Sequence, residues 1–142
     1  MKKKKKRSDN MKTIRLAIIG SRYFVNYELF KRMVDNDISD LNKRGLKVVE
    51  IVSGGARGTD TMASKYAMEK HIKILNYLPK DRSEKKSYLE RNDRIIERCD
   101  IMLSFLVAQL PCTGTRYTTR KCKNNQKEVF EHVVTKAQSG SF

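Results

Sequence analysis

At 142 residues the chain has the length of one domain, enough to bury one hydrophobic core and too little for two. Its 39% hydrophobic and 33% charged residues describe a globular protein with a heavily charged surface, and no apolar run approaches the roughly 18 residues of a membrane span, so no membrane partner is expected. The formal charge of +15 favours anionic partners such as nucleotides, nucleic acid or acidic lipid through the field of the whole surface.

Residues 1–12, MKKKKKRSDNMK, set seven cations against Asp9, a net +6 that leaves +9 on the rest of the chain. Like charges repel and methionine is the only apolar type, so the segment reads as a disordered basic tail. Three roles stay open for it: a nuclear localisation signal, a non-specific nucleic-acid arm, or a solvated end that only aids solubility. Met11 is a second candidate start. No apolar signal segment follows the lysines, which points to an intracellular protein, cytoplasmic or, if Lys2 to Arg7 acts as a localisation signal, nuclear.

Regular structure begins at Thr13. Ile14, Leu16, Ala17, Ile18 and Ile19 make a buried-type strand that stops at Gly20-Ser21-Arg22. Phe30, Met33, Val34, Ile38 and Leu41 recur at helical spacing, with Gly45 as C-cap. Val48, Val49, Ile51 and Val52 form a second strand, stopped by Ser53-Gly54-Gly55, and a helix over about 59–70 follows. Ile72, Ile74, Leu75 and Tyr77 read as a third strand ending at Pro79. A third helix carries Tyr88, Ile95, Ile96 and Cys99 on its apolar stripe. The fourth strand runs over 101–107, a short helix lies near 115–123, and a last strand spans 129–134. This β-α alternation predicts an α/β fold: a Rossmann-like, doubly wound, mainly parallel five-stranded sheet with helices on both faces, built from residues 13–136 and followed by a C-terminal tail over 137–142.

Cys99, Cys112 and Cys122 are odd in number and lack CxxC spacing, and His71 and His132 stand alone. The sequence therefore implies no disulfide framework, no metal and no cofactor.

In such a sheet every strand-to-helix loop lies at the carboxyl edge, where open α/β sheets bind ligands. The sharpest motif there is SGGARGTD: Ser53, Gly54, Gly55, Ala56, Arg57, Gly58, Thr59 and Asp60. Paired glycines let backbone N–H groups approach an anion, the helix that follows adds a partial positive charge, and Arg57 can neutralise a phosphate. It fits neither a Walker A loop, lacking GK[ST], nor a dinucleotide loop, lacking GxGxxG after the first strand. Gly20, Ser21 and Arg22 after strand one, and Gly114, Thr115 and Arg116 after strand four, fall at the same edge. Arg91 and Asn92 join this set of candidate ligand-binding residues, because Asn92 sits on a helical stripe otherwise apolar and needs a partner or a ligand. Tyr23, Phe24, Tyr27 and Tyr117 could stack a base or pack helices.

These motifs, in order over about residues 14–134, resemble the YspA-type branch of the SLOG superfamily, which also holds the DNA-processing protein A family and the cytokinin-activating "lonely guy" phosphoribohydrolases. The resemblance implies a Rossmann-like sheet with a pocket for nucleotides or nucleotide-derived ligands. The phosphoribohydrolases carry a PGGxGTxxE loop whose glutamate assists glycosidic cleavage. Here the stretch is PCTGTRYTTR, with Thr118 and Thr119 where that carboxylate is expected. Asp60 is left as the weak catalytic candidate, with a hydrogen bond to a ribose hydroxyl or to the loop backbone as its other role.

Three functions follow. The leading one is binding or sensing of a phosphate-bearing nucleotide or nucleotide-derived ligand by the glycine-rich loops. The second is nucleic-acid binding in the manner of the DNA-processing family, helped by the basic tail. The third is hydrolysis of an N-glycosidic or phosphate bond. Whether the chain is an enzyme, and whether it forms a homo-oligomer, stays open in the sequence.

Overall fold

A computed structural model of the chain describes residues 11–142. Its elements, in chain order, are β1 (Lys12–Gly20), α1 (Tyr27–Lys43), β2 (Leu46–Ser53), α2 (Thr59–Glu69), β3 (Lys73–Asn76), α3 (Lys85–Arg98), β4 (Ile101–Val107), α4 (Thr113–Asn124), β5 (Glu128–Val134) and α5 (Lys136–Ser139). The strands form one parallel sheet in the order β3-β2-β1-β4-β5. The expected doubly wound sheet of five strands is therefore the observed one.

Alternation along the central strands builds a core on each face. From β1, Ile14, Leu16 and Ile18 pack with Phe30, Val34 and Leu41 of α1 and with Met62, Ala63 and Tyr66 of α2. Ala17 and Ile19 turn the other way, to Ile95 and Ile96 of α3 and Cys122 of α4. β4 is buried along its whole length, as the middle of a two-faced parallel sheet must be. β5 is an edge strand and leaves Val133 63% exposed.

Three boundaries differ from expectation. Lys12, assigned to the basic tail, opens β1, and its N–H donates to the Gly45 carbonyl at 2.9 Å; the remainder of that tail, residues 1–10, lies outside the described residues. Residues placed in a C-terminal tail instead enter α5, which a capping box at Thr135 and Gln138 starts. The Ser139 carbonyl accepts the Val25 and Asn26 N–H groups at 2.8 and 3.0 Å, fastening the chain end beneath the β1–α1 loop. Finally, α4 starts at Thr113, two residues before the expected helix near 115–123, so Gly114 lies in its first turn with Thr115 and Arg116.

Among the described residues, no helix is long and apolar enough to cross a membrane, and no group of three or more His, Cys, Asp or Glu could hold a metal.

Candidate functional site

Because β1 has β2 on one side and β4 on the other, the chain reverses direction across the sheet between β1 and β4, and a crevice opens outside the strand ends at this switch point. A cleft of about 320 Å³ occupies it. The end of β1 brings Gly20, Ser21 and Arg22 to the cleft, and the β2–α2 connection brings Ala56, Arg57 and Asp60. α3 supplies Arg91 and Asn92; the first turn of α4 supplies Gly114 and Thr115. Tyr23, Tyr88, Ile95 and Leu110 give the lining its apolar and aromatic part.

The helices α2 and α4 both start at this cleft, and neither has a side-chain N-cap bond. Among the described residues, the first donor of each is taken: Thr59 N–H by the Ser21 carbonyl at 3.2 Å, and Thr113 N–H by the Pro111 carbonyl at 2.7 Å. Two positive helix ends therefore converge on the space, and with Arg22, Arg57 and Arg91 they make it attractive to an anion.

Arg91 is the best anchored of the three. It is only 9% exposed, and its Nη1 donates to the carbonyls of Gly54 at 2.7 Å and Tyr77 at 3.3 Å while its Nε donates to Asn92 Oδ1 at 2.7 Å. Its guanidinium also lies 5.5 Å from the Tyr88 ring centroid. Asn92 is half-buried and holds Arg91 in place; the fully polar position on the buried stripe of α3 is Arg91 itself.

Asp60, the one carboxylate among the described residues that line the cleft, is 6% exposed. Its Oδ2 accepts the Ala56 N–H at 3.1 Å, and its Oδ1 has no partner. Burial pushes the Asp60 carboxyl above the usual carboxylate range, against the opposing pull of the Ala56 N–H and the Arg91 charge. Burial likewise lowers Arg91, opposed first by Asp60, so for both groups desolvation outweighs their mutual attraction. Thr118, on α4 and 1% exposed, is a lining residue that sequence reasoning passed over as a missing carboxylate; its Oγ1 is also buried without a partner.

Ser53, Gly54, Gly55, Gly58 and Arg116 do not line the cleft. Ser53 Oγ donates to the Ile18 carbonyl at 2.7 Å, tying the ends of β1 and β2 together. Gly54 backs onto the buried pair: a Cβ there would stand 2.5 Å from Arg91 Nη1 and 2.9 Å from Asp60 Oδ2. Gly55 faces Leu78, and Gly58, at φ +69°, packs against the Arg22 backbone. Arg116 lines a separate hollow of about 210 Å³ with Arg120, Lys123 and Glu131. Of the aromatic candidates, Tyr23 reaches the cleft, Phe24 is a core residue, and the Tyr27 hydroxyl bonds Glu69 at 2.5 Å.

The model of the family described as DNA recombination-mediator protein A matches residues 7–125. The chain belongs to that family. Among solved structures, DNA processing protein A (DprA) from Streptococcus pneumoniae is similar with a TM-score of 0.63 at 18% identity, over 88% of this chain and 51% of that one. The protein TM1055, a structural-genomics target, is similar with a TM-score of 0.56 at 14% identity, over 81% of this chain and 71% of that one. Both likenesses are of fold, and the chain spans about half the length of the pneumococcal protein. Comparison with curated proteins gives no match. Together the family and the fold place the chain in the DprA- and SLOG-related superfamily that its motifs resemble.

Proposed function

We propose that the chain binds a single-stranded nucleic acid by its phosphates, seating one nucleotide unit in the switch-point cleft. The observation that carries this is the extent of the cationic surface. Arg22, Arg57, Arg91 and two helix N-termini face the cleft, and beyond it Arg116 and Arg120 line a second hollow in which Lys123 is paired with Glu131. A lone nucleotide needs only the first group; a polyanion uses both. A cleft of about 320 Å³ suits one nucleotide whose base is unpaired, and Tyr23 and Tyr88 offer it a stacking face. Membership of the DNA recombination-mediator protein A family supports the same reading.

Fluorescence anisotropy with a labelled single-stranded oligonucleotide, titrated at several salt concentrations, tests it. The expected result is binding that weakens steeply with salt, and a further loss when Arg116 and Arg120 are both changed to Ala. Binding of a mononucleotide as tight as that of the strand, with no effect of the double substitution, favours the second reading: a sensor of a small phosphate-bearing nucleotide, which the volume of the cleft also suits. Hydrolysis has less support, since Asp60 stands alone among the lining residues and no second carboxylate faces it.

A further inference from the structure

Buried polar atoms without partners are rare, because each forfeits its bonds to water, and two that line one cleft indicate what the cleft is shaped to receive. Asp60 Oδ1 and Thr118 Oγ1 are such atoms, brought from different helices to the same space, 6% and 1% exposed at the residue level. The Thr118 hydroxyl could donate to a phosphate, but the pair together does not suit one. A phosphate oxygen has nothing to donate to a carboxylate and is repelled by it, and the phosphate is better placed at the arginines and the helix ends. An ionised carboxylate oxygen accepts only, so the group that meets Asp60 must donate. The Thr118 hydroxyl can donate or accept, so a partner that does both satisfies it in either orientation.

In a nucleotide, the common group that both donates and accepts is a sugar hydroxyl; exocyclic amines donate without accepting, and ring nitrogens and carbonyls accept without donating. We infer that the cleft recognises a nucleotide unit by a free sugar hydroxyl, which donates to Asp60 Oδ1 and pairs with Thr118 Oγ1 while the phosphate lies toward the arginines. This rests on the strand-binding function proposed above and adds to it what distinguishes one unit of the strand from the others. Two sources carry the chemistry: the 2′-hydroxyl of a ribonucleotide, available at every position, and the 3′-hydroxyl that ends a DNA strand.

The test uses the full chain and short labelled strands of one sequence: DNA ending in a free 3′-hydroxyl, DNA ending in a 2′,3′-dideoxynucleotide, and RNA ending in a 3′-deoxynucleotide. At least one hydroxyl-bearing strand should bind about tenfold tighter than the dideoxy-ended DNA, equivalent to roughly 1.4 kcal/mol. A gain confined to the RNA assigns the 2′-hydroxyl, and a gain confined to the free DNA end assigns the strand terminus. Thr118→Val and Asp60→Asn should each bring that ratio toward one. Because the strand series on the unaltered protein already decides the matter, a variant that fails to fold removes nothing from the test. Three strands of equal affinity would overturn the inference, with water as the partner of both oxygens, and leave strand binding standing. No binding by any strand at low salt would overturn both.

Discussion

Replacing Arg91 by Met keeps much of the apolar stem and removes the guanidinium, and its cost can be worked from the geometry. The guanidinium holds the Gly54 carbonyl at 2.7 Å, the Tyr77 carbonyl at 3.3 Å and Asn92 Oδ1 at 2.7 Å, and each hydrogen bond from a charged donor is worth about 1.5–3 kcal/mol taken singly. These do not add, since the three share one side chain. The larger effect is on Asp60, which at 6% exposed is left without its neighbouring cation; removing one partner from a buried pair costs about 3–5 kcal/mol. We therefore expect Arg91→Met to lose about 3–5 kcal/mol, a large share of the ~5–15 kcal/mol that holds a domain of this size folded. Adding Asp60→Asn removes the stranded charge, so the double variant should recover about 1–3 kcal/mol relative to Arg91→Met. Urea unfolding at pH 7, followed by circular dichroism on the four proteins of this cycle, measures both figures. A loss below about 1 kcal/mol for Arg91→Met, or a double variant no more stable than Arg91→Met, would refute the view that the two charges are held together behind Gly54.

The raised Asp60 carboxyl gives a pH dependence of definite sign. The folded state holds this proton more tightly than the unfolded chain, so Asp60 costs nothing below its unfolded pKa and destabilises progressively as pH rises through the folded value; the Tm of Asp60→Asn should thus gain on the parent between pH 4 and pH 7, and a gap that shrinks over this range would reverse the assignment. Gly58→Ala places a side chain at φ +69° against the Arg22 backbone and should lower Tm by several degrees. Gly114→Ala, in open space on α4, should leave Tm unchanged or raise it by the ~1 kcal/mol of helix propensity, and thermal melts of the pair read the contrast. Deleting residues 1–10 removes Lys2 to Lys6, Arg7 and Asp9; the melt should not move, while the salt dependence of strand binding should flatten by about 0.7 in log–log slope for each phosphate that the basic end neutralises. An unaltered slope would mean that this end does not touch the strand.

The fold was legible because its signals are local. Largely apolar runs at 14–19, 48–52 and 101–107 are bounded by Gly, Asp or charged turns and are separated by stretches of helical period, so the order of elements and a parallel sheet follow from the pattern alone. α3 shows where locality ends. Counting from Tyr88 puts Asn92 on the apolar stripe; Ile95, Ile96 and Cys99 of that stripe are buried, but the buried polar residues beside them are Ser87 and Arg91 and not Asn92. A pattern that scores arginine as polar cannot find that burial. What allows Arg91 inward is two carbonyls, of Gly54 and Tyr77, that reach it from elsewhere in the fold. Glu50 is the same case: it sits in mid-strand and 4% exposed, and is tolerated because Arg98 meets both of its oxygens at 2.9 Å.

The cleft lies at the sheet edge where the sequence puts its candidate residues, and one local difference changes which of them face it. Grouping Gly114, Thr115 and Arg116 as one edge motif sends Arg116 to the cleft alongside Gly114. Once α4 starts at Thr113, each residue turns roughly 100°, so Arg116 lies about 200° from Gly114 and faces the outer hollow, while Thr118, about 40° from Gly114, swings into the cleft. The glycines change meaning too. A Cβ on Gly20 would stand 2.5 Å from the Phe105 carbonyl oxygen and 2.6 Å from Thr59 Oγ1, and one on Gly54 would displace the Arg91 guanidinium. Gly20, Gly54 and Gly58 let β1, the β2–α2 connection, α3 and β4 close upon one another, and one product of that closeness is the fixed direction of Arg91. On the proposed function, the phosphate would be met by side chains and helix ends that glycine positions, more than by the glycine backbone itself.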